Sequence, residues 1–269
     1  MKKIIRIFII TIALFLSYSY LIEPRLLVTK RTTINTSFDI HDLKVVLFTD
    51  THFGKYYKQS NVERIVNKIN SESPDIVIFG GDFFDNYSRD KDKLDLDYIK
   101  AELQKINTAY GKFAVMGNHD YGGGSLNIYK QLMEDSGFTL LKNENIIIEE
   151  LNVKITGFDD YLLGQSDCSE YVINDDGMYN IITAHEPITA DIITSSTENL
   201  ILSGHTHGGQ VTVPVLTDKI MPNGSGEYVN GIYNLENSTL YVSTGIGMTI
   251  LPFRFLNPPE IVVININPK

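Results

Sequence analysis

Apolar and polar positions fall into three successive rhythms along the chain, and each predicts different structure. The first is an almost uninterrupted apolar run from Ile7 to Ile22, set behind Lys2, Lys3 and Arg6. A run of this length behind a basic cap predicts an export signal or a membrane-anchoring helix. A cleaved signal ends in small residues. Ser17 and Ser19 supply these weakly, no Ala-x-Ala occurs, and Leu21 and Ile22 continue the run, so residues 1–22 are read as an uncleaved signal-anchor. The basic cap puts the amino terminus in the cytoplasm and the rest of the chain outside, although Arg25, Lys30 and Arg31 reduce the asymmetry; cleavage would export the protein instead. The second rhythm is mostly polar. Residues 23–42, "EPRLLVTKRTTINTSFDIHD", predict a connector.

From Lys44 onward short apolar runs alternate with helical periodicity. "KVVLFT" predicts a strand, and "SNVERIVNKIN" a helix, with Ser60 and Glu63 at capping-box spacing and Val62, Ile65, Val66 and Ile69 on one face. Pro74 opens the strand "DIVIF". A helix with Leu96, Ile99, Leu103 and Ile106 at helical spacing leads to the strand "KFAVM", and a helix near 126–136 leads to "NIIIEELNVKITGF", with Asn152 at its turn. The remainder is rich in short strands: "YNIITA", "NLILS", "QVTV", "YVNGIYNL", "TLYVST" and "EIVVINI". Helical crossovers followed by antiparallel-looking strands predict an α/β domain over 43–269 with two packed sheets flanked by helices. The charged stretch Arg89 to Asp97 predicts a solvated loop and helix start.

Composition narrows the function. With 269 residues and 43% hydrophobic content, the chain can bury one sizeable core, and a monomer is expected. The single cysteine, Cys168, forms no internal disulfide and is read as a packing residue, so an exported domain would hold together by its core or by metal. A net charge of −10 argues against a nucleic-acid binder, whose field would be basic, and a nuclease would need a basic track that is not visible. An anionic substrate then requires local positive charge, which metal ions supply.

Candidate ligands stand where the apolar runs stop. Asp50 and His52 follow "VVLFT", Asp82 follows "DIVIFGG", Asn118, His119 and Asp120 follow "KFAVMG", His185 follows "YNIITA", and His205 and His207 follow "NLILSG". Ligands in open α/β sheets gather at the carboxyl ends of strands, so these segments can converge on one crevice. In an extended segment i and i+2 point the same way, which would let Asp50 with His52, and His205 with His207, reach a common centre. Glycines at 80, 81, 117, 204 and 208 suit close backbone approach. A lone His-x-His is weak evidence of ligation; the ordered set of mixed carboxylate, imidazole and amide donors is strong.

Taken in order, "DTH", "GGD", "GNHD", "AHE" and "SGHTHGGQ" resemble the calcineurin-like metallophosphoesterase superfamily, over about Lys44 to Ile266. "SGHTHGGQ" and "GIGMTILPFRFLNPPEI" are similar to its bacterial, N-terminally anchored branch. The resemblance implies a four-layer αββα sandwich with two mixed β-sheets and two divalent metals. It assigns Asp50, His52 and His207 to one metal, Asn118, His185 and His205 to the other, and Asp82 to both. Manganese is favoured for an exported protein, with zinc or iron compatible with the same donors. It further implies hydrolysis of phosphodiesters or phosphomonoesters by a metal-bridging hydroxide. His119 would contact the phosphate and protonate the leaving oxygen, and Asp120 would hold its other ring nitrogen. Thr51 stands where leucine or isoleucine is commoner, and Asn199 where the family often has aspartate, which would remove a carboxylate supporting the site. An anchor suggests a membrane-lipid or envelope-polymer substrate, with "MTILPFRF" placing apolar side chains and Arg254 near the site mouth. The alternative is an anchored metal-binding receptor without turnover.

Overall fold

The computed structural model describes residues 1–213, 217 and 221–269. Two six-stranded sheets dominate it. The first contains β1 (Val28–Thr36), β2 (Leu43–Phe48), β3 (Ile76–Phe79), β4 (Lys112–Ala114), β5 (Phe138–Leu140) and β14 (Glu260–Pro268), in the order β1-β14-β2-β3-β4-β5. The second contains β6 (Glu144–Ile148), β7 (Val153–Gly157), β9 (Tyr179–Thr183), β11 (Asn199–Ser203), β12 (Gly231–Asn234) and β13 (Ser238–Val242), in the order β12-β13-β11-β9-β7-β6. A short parallel pair, β8 (Val172–Ile173) with β10 (Thr194–Ser195), lies apart.

Both sheets are mixed. β2, β3, β4 and β5 run parallel to one another, with β14 antiparallel to β2. β7, β9, β11 and β13 are likewise parallel, flanked by antiparallel β6 and β12. Parallel strands need crossovers, which is why helical segments alternate with the early strands. The helices are α2 (Val62–Ser71), α3 (Tyr87–Asp90), α4 (Leu96–Leu103), α5 (Asn118–Gly122), α6 (Leu126–Asp135) and α7 (Thr189–Ile192), with α1 (Lys2–Ser17) ahead of the domain.

The layers follow from the two-residue period of the strands. Val46 and Phe48 face one way, onto Ile65 and Ile69 of α2 and Ile99 of α4. Val45 and Leu47 face the other way and meet Ile181, Leu200 and Leu202 from the second sheet. Ile182 and Ile201 point to the far side of that sheet, onto Phe158 and Ala190. Strands covered on both faces read as continuous apolar runs, as "KVVLF" and "NLIL" do. The result is the expected four layers, helix, sheet, sheet and helix, although the last is thin and rests on the single turn of α7 and its loops.

Several local expectations are corrected. The stretch 23–42, read as a connector, carries β1, which pairs in parallel with β14 from Val28↔Glu260 to Thr36↔Pro268. As an edge strand it is solvated along much of its length, so it lacks a hydrophobic signature. "QVTV" is no strand; its only pairing is an isolated bridge from Val211 to Phe255. The Ser60 capping box does not form either. A 3₁₀ turn over Gln59–Asn61 leads into α2, and the cap carries no side-chain bond. Within the charged stretch Asp90 is buried against Arg89, while Asp95 caps α4 by accepting from the Tyr98 amide. The apolar amino terminus is helical, and Lys2–Arg25, 24 residues, is long and apolar enough to cross a membrane. No residue of α1 is buried.

Candidate metal centre

β2, β3 and β4 are adjacent and parallel in one sheet, and β9 and β11 in the other, so the chain leaves all five at the same end. The predicted residues converge there. Asp50, His52 and His207 bring ligand atoms within 4.8 Å of one another, and so do Asp82, His185 and His205. Asn118 joins the second group, its Oδ1 3.1 Å from His205 Nδ1. Asp82 Oδ2 lies between the groups, 3.2 Å from His185 Nε2 and 3.5 Å from His52 Nε2. All but Asn118 are buried, four of the six residues in these two groups essentially completely.

The backbone route differs from simple strand alternation. Asp50, His52, Asp82, His205 and His207 all have positive φ, between 42° and 70°. These candidate ligands stand in left-handed turns just past the strands, and His205 and His207 enter different groups. Such conformations are costly for non-glycine residues and gather where function over-determines the backbone. Crowding fixes the neighbouring residues. A Cβ on Gly204 would lie 2.2 Å from Asp50 Oδ2, and one on Gly117 would lie 2.3 Å from Asp82 Oδ1.

Hydrogen bonds select which ring atom is free. His185 Nδ1 lies 2.7 Å from the Gly80 carbonyl, so it carries the proton and leaves Nε2 buried with no partner. His205 is reversed. Its Nε2 donates to the Asn223 carbonyl at 2.7 Å, which frees Nδ1. His207 Nε2 faces His52 Nε2 at 2.9 Å. Asp50 spends one oxygen on the Thr49 hydroxyl and leaves Oδ1 toward the histidines. Unpartnered ring nitrogens and carboxylate oxygens packed this closely form a donor set suited to divalent cations. Although burial opposes the charge, His185, His119 and His52 hold the Asp82 carboxyl well below the usual range.

His119 lies at the edge of this set, in contact with an open cavity of about 460 Å³ that Lys55, Tyr56, Asn118, Thr249 and Ile250 also line. Its Nδ1 donates to the Asp85 carbonyl at 2.6 Å, so Nε2 is the free atom. Asp120 does not hold the ring, as expected from the sequence. Its carboxylate accepts from the amides of Asp82, Phe83 and Gly117 instead and clamps two strand ends together. Burial, then the charge of Asp82, push that carboxyl up to about 7. Burial works against a charge on His119, but Asp82 and the bond to Asp85 outweigh it and raise its pKa.

Other expectations shift as well. Thr51 turns away and donates to the Phe83 carbonyl, so its identity leaves the ligands untouched. Asn199 stands at the opposite end of β11, bonded to Ser195, Thr197 and Asn237, and supports no ligand. Arg254 is not at the mouth. It is fully buried behind His207, donating to the carbonyls of Thr244, Gly245, Gly247 and Asn257. Burial brings its guanidinium down to about 10, which leaves it charged at neutral pH. The Asn257 amide donates to the His207 carbonyl, and Glu23 accepts from the Asn257 backbone. Asp85, Arg254, Asn257 and Glu23 were missed as supporting residues. Only Asp85, three positions after Asp82, carried any local signal. One carboxylate oxygen bonds Arg89, while the other lies 3.9 Å from His52 Nδ1 and 4.0 Å from His119 Nδ1, so that His52, Asp85 and His119 form a third cluster of donors beside the two groups.

A doubly layered α/β sandwich with paired donor groups at its strand ends defines a metal-dependent hydrolase with a dinuclear site. A family model described as calcineurin-like phosphoesterase matches residues 43–209. The chain belongs to that family and is a metal-dependent phosphoesterase. It is 34% identical over 259 residues to the metallophosphoesterase YkuE of Bacillus subtilis (strain 168), covering 93% of this chain and 88% of that one. It is 32% identical to the metallophosphoesterase Cj0846 of Campylobacter jejuni, over 85% of this chain and 60% of that protein. At 25% identity and 84% of each chain it also matches the UDP-2,3-diacylglucosamine pyrophosphatase LpxG of Chlamydia muridarum.

Proposed function

We propose that this phosphoesterase acts on a phosphoester in a membrane-lipid headgroup or envelope polymer, as a monomer held by its N-terminal helix, with the domain, residues 43–269 together with β1, outside the cytoplasm. Asp50, His52 and His207 would hold one cation and Asn118, His185 and His205 the other, with Asp82 placed to serve both. Manganese is the favoured metal, with zinc or iron suiting the same donors. When bound, two divalent cations supply an activated water and neutralise charge on the phosphoryl group.

The chain's own residues do the rest. Asn118 and the cavity walls orient the ester beside the ligands. In its doubly protonated form His119 presents Nε2–H to the leaving oxygen and delivers that proton to it, while the Asp85 carbonyl accepts from Nδ1 and fixes the ring. Asp120 keeps the ends of β3 and β4 in register. The position of His119, tethered through Nδ1 with Nε2 free at the cavity, is the observation that carries this reading. The apolar helix and the diacylglucosamine-directed name of one relative support a lipid-linked substrate. Lys2, Lys3 and Arg6 support the orientation.

The test is hydrolysis of bis-p-nitrophenyl phosphate and p-nitrophenyl phosphate by the full chain in detergent, stripped of metal and then supplied with manganese, zinc or magnesium. Turnover restored by metal and lost in His119→Ala supports the assignment, and the preferred compound separates diesterase from monoesterase. Turnover surviving in His119→Ala would overturn its role as proton donor.

A further inference from the structure

The segment after β13 carries more apolar surface than a connecting loop requires. Ile250 is 81% exposed, Leu256 63% and Leu251 55%. Between them Phe253 and Phe255 turn onto the N-terminal helix. Phe255 packs on Phe15 with ring centroids 4.6 Å apart and meets Tyr18, and Phe253 meets Tyr20. The Arg254 amide donates to the Ser19 carbonyl at 3.0 Å. The loop is thus seated against the last turns of the apolar segment, with three large aliphatic side chains left uncovered beside it.

Helix length decides what covers them. At about 1.5 Å per residue, Lys2 to Phe15 spans roughly 20 Å, short of the roughly 30 Å of a bilayer's hydrocarbon core. The remaining thickness requires the turns from Phe15 to Ile22, the same turns that hold the loop. If the helix crosses, everything packed on Phe15 is drawn below the bilayer surface, because exposing the last apolar turns to water would leave a mismatch. Exposed Tyr18 and Tyr20 suit that boundary. Arg25, which caps the carbonyls of Tyr20 and Leu21, and Arg64, which donates to the Arg25 carbonyl, supply positive charge just above it, on a chain whose net charge is −10.

We propose that residues 250–256 form a lip inserted into the leaflet beside the helix, so that the catalytic cavity opens onto the headgroup layer. The occupant of this surface is the lipid bilayer. Ile250 carries the geometry, since it is both the most exposed residue of the lip and part of the cavity wall, where its carbonyl accepts from Tyr56. The inference rests on the reading of α1 as a membrane span and names the face that the span presents to lipid.

The chain contains no tryptophan, so a single introduced indole reports its own surroundings. Full-length Leu251→Trp and Leu256→Trp, reconstituted into phosphatidylcholine vesicles, should show blue-shifted emission, quenched more by lipids brominated near the headgroup than by lipids brominated near the chain end. Ile10→Trp, within α1, should be quenched most by the deeper bromines, and Ile147→Trp, on the outer strand β6, by neither. If Ile10→Trp is quenched while both lip variants emit like Ile147→Trp, the lip is overturned and the span stands. If Ile10→Trp also escapes quenching, the span and the lip both fall, while metal-dependent turnover on soluble esters is unaffected by that outcome.

Discussion

The two halves of the metal centre differ in what stands behind them. Asp82, Asn118, His185 and His205 are backed by nearby main chain: the Gly80 and Asn223 carbonyls set the two imidazoles, and the carboxylate bonds the His119 amide. Asp50, His52 and His207 depend in addition on side chains of the loop before β14 and of the segment before β1. Arg254 fills the space behind the His207 ring, Asn257 holds its carbonyl, and Glu23 holds Asn257. One half is therefore held by the strand ends and by the Asn223 carbonyl of the loop before β12. The other needs in addition the loop before β14 and the amino-terminal segment.

Asp82→Ala should abolish this distinction by removing the shared ligand. Metal analysis should find both ions lost and aryl phosphate turnover reduced to the buffer rate; one ion retained would show that the halves are independent. His119→Ala should keep both ions and lower turnover by about 10²–10⁴-fold, the usual weight of a general acid. Equal metal loss in these two variants would refute the division between ligand and proton donor.

Arg254→Met separates the halves more finely. It strands several buried carbonyls, each worth about 1–3 kcal/mol when left without a partner, so urea denaturation should show a marked loss of stability. Metal content should fall toward one ion, from the half containing His207; equal loss from both would erase the contrast. Cys168→Ser is the mildest of the set. The thiol is buried behind the second sheet among Phe158, Ile173 and Ile182, so a hydroxyl there should cost about 1–3 kcal/mol with metal content unchanged. No change in stability would mean that this outer core yields more readily than its packing suggests.

The legibility of the sequence follows the same contrast. Candidate ligands at strand ends were readable because side chains of ligand type recur directly after two-face-buried runs, as at Asp82 after "DIVIFGG". The parallel order of β2, β3 and β4 was readable from their intervening helices. Arg254, Asn257 and Glu23 were not, since their roles exist only through contacts across tens to hundreds of positions, and nothing in "RFLNPP" announces a partner at residue 207. β1 escaped notice because an edge strand shows little alternation. The role expected of Asp120 failed for a different reason: adjacency to His119 along a helical turn points its carboxylate back at the amides of β3 and β4, away from the ring.

The bond from the Arg254 amide to Ser19, together with the grip of Glu23 on Asn257, makes the apolar amino-terminal segment a structural member of the domain that follows it. Proteolytic shedding at the usual place, just past the apolar run, would remove Ser19 along with the aromatic turns beneath Phe253 and Phe255. The remaining fragment would be loosened at the same candidate ligand, His207, that the amino-terminal segment indirectly steadies. Were the helix to anchor the chain as proposed, release from the membrane would thus weaken the site that it frees.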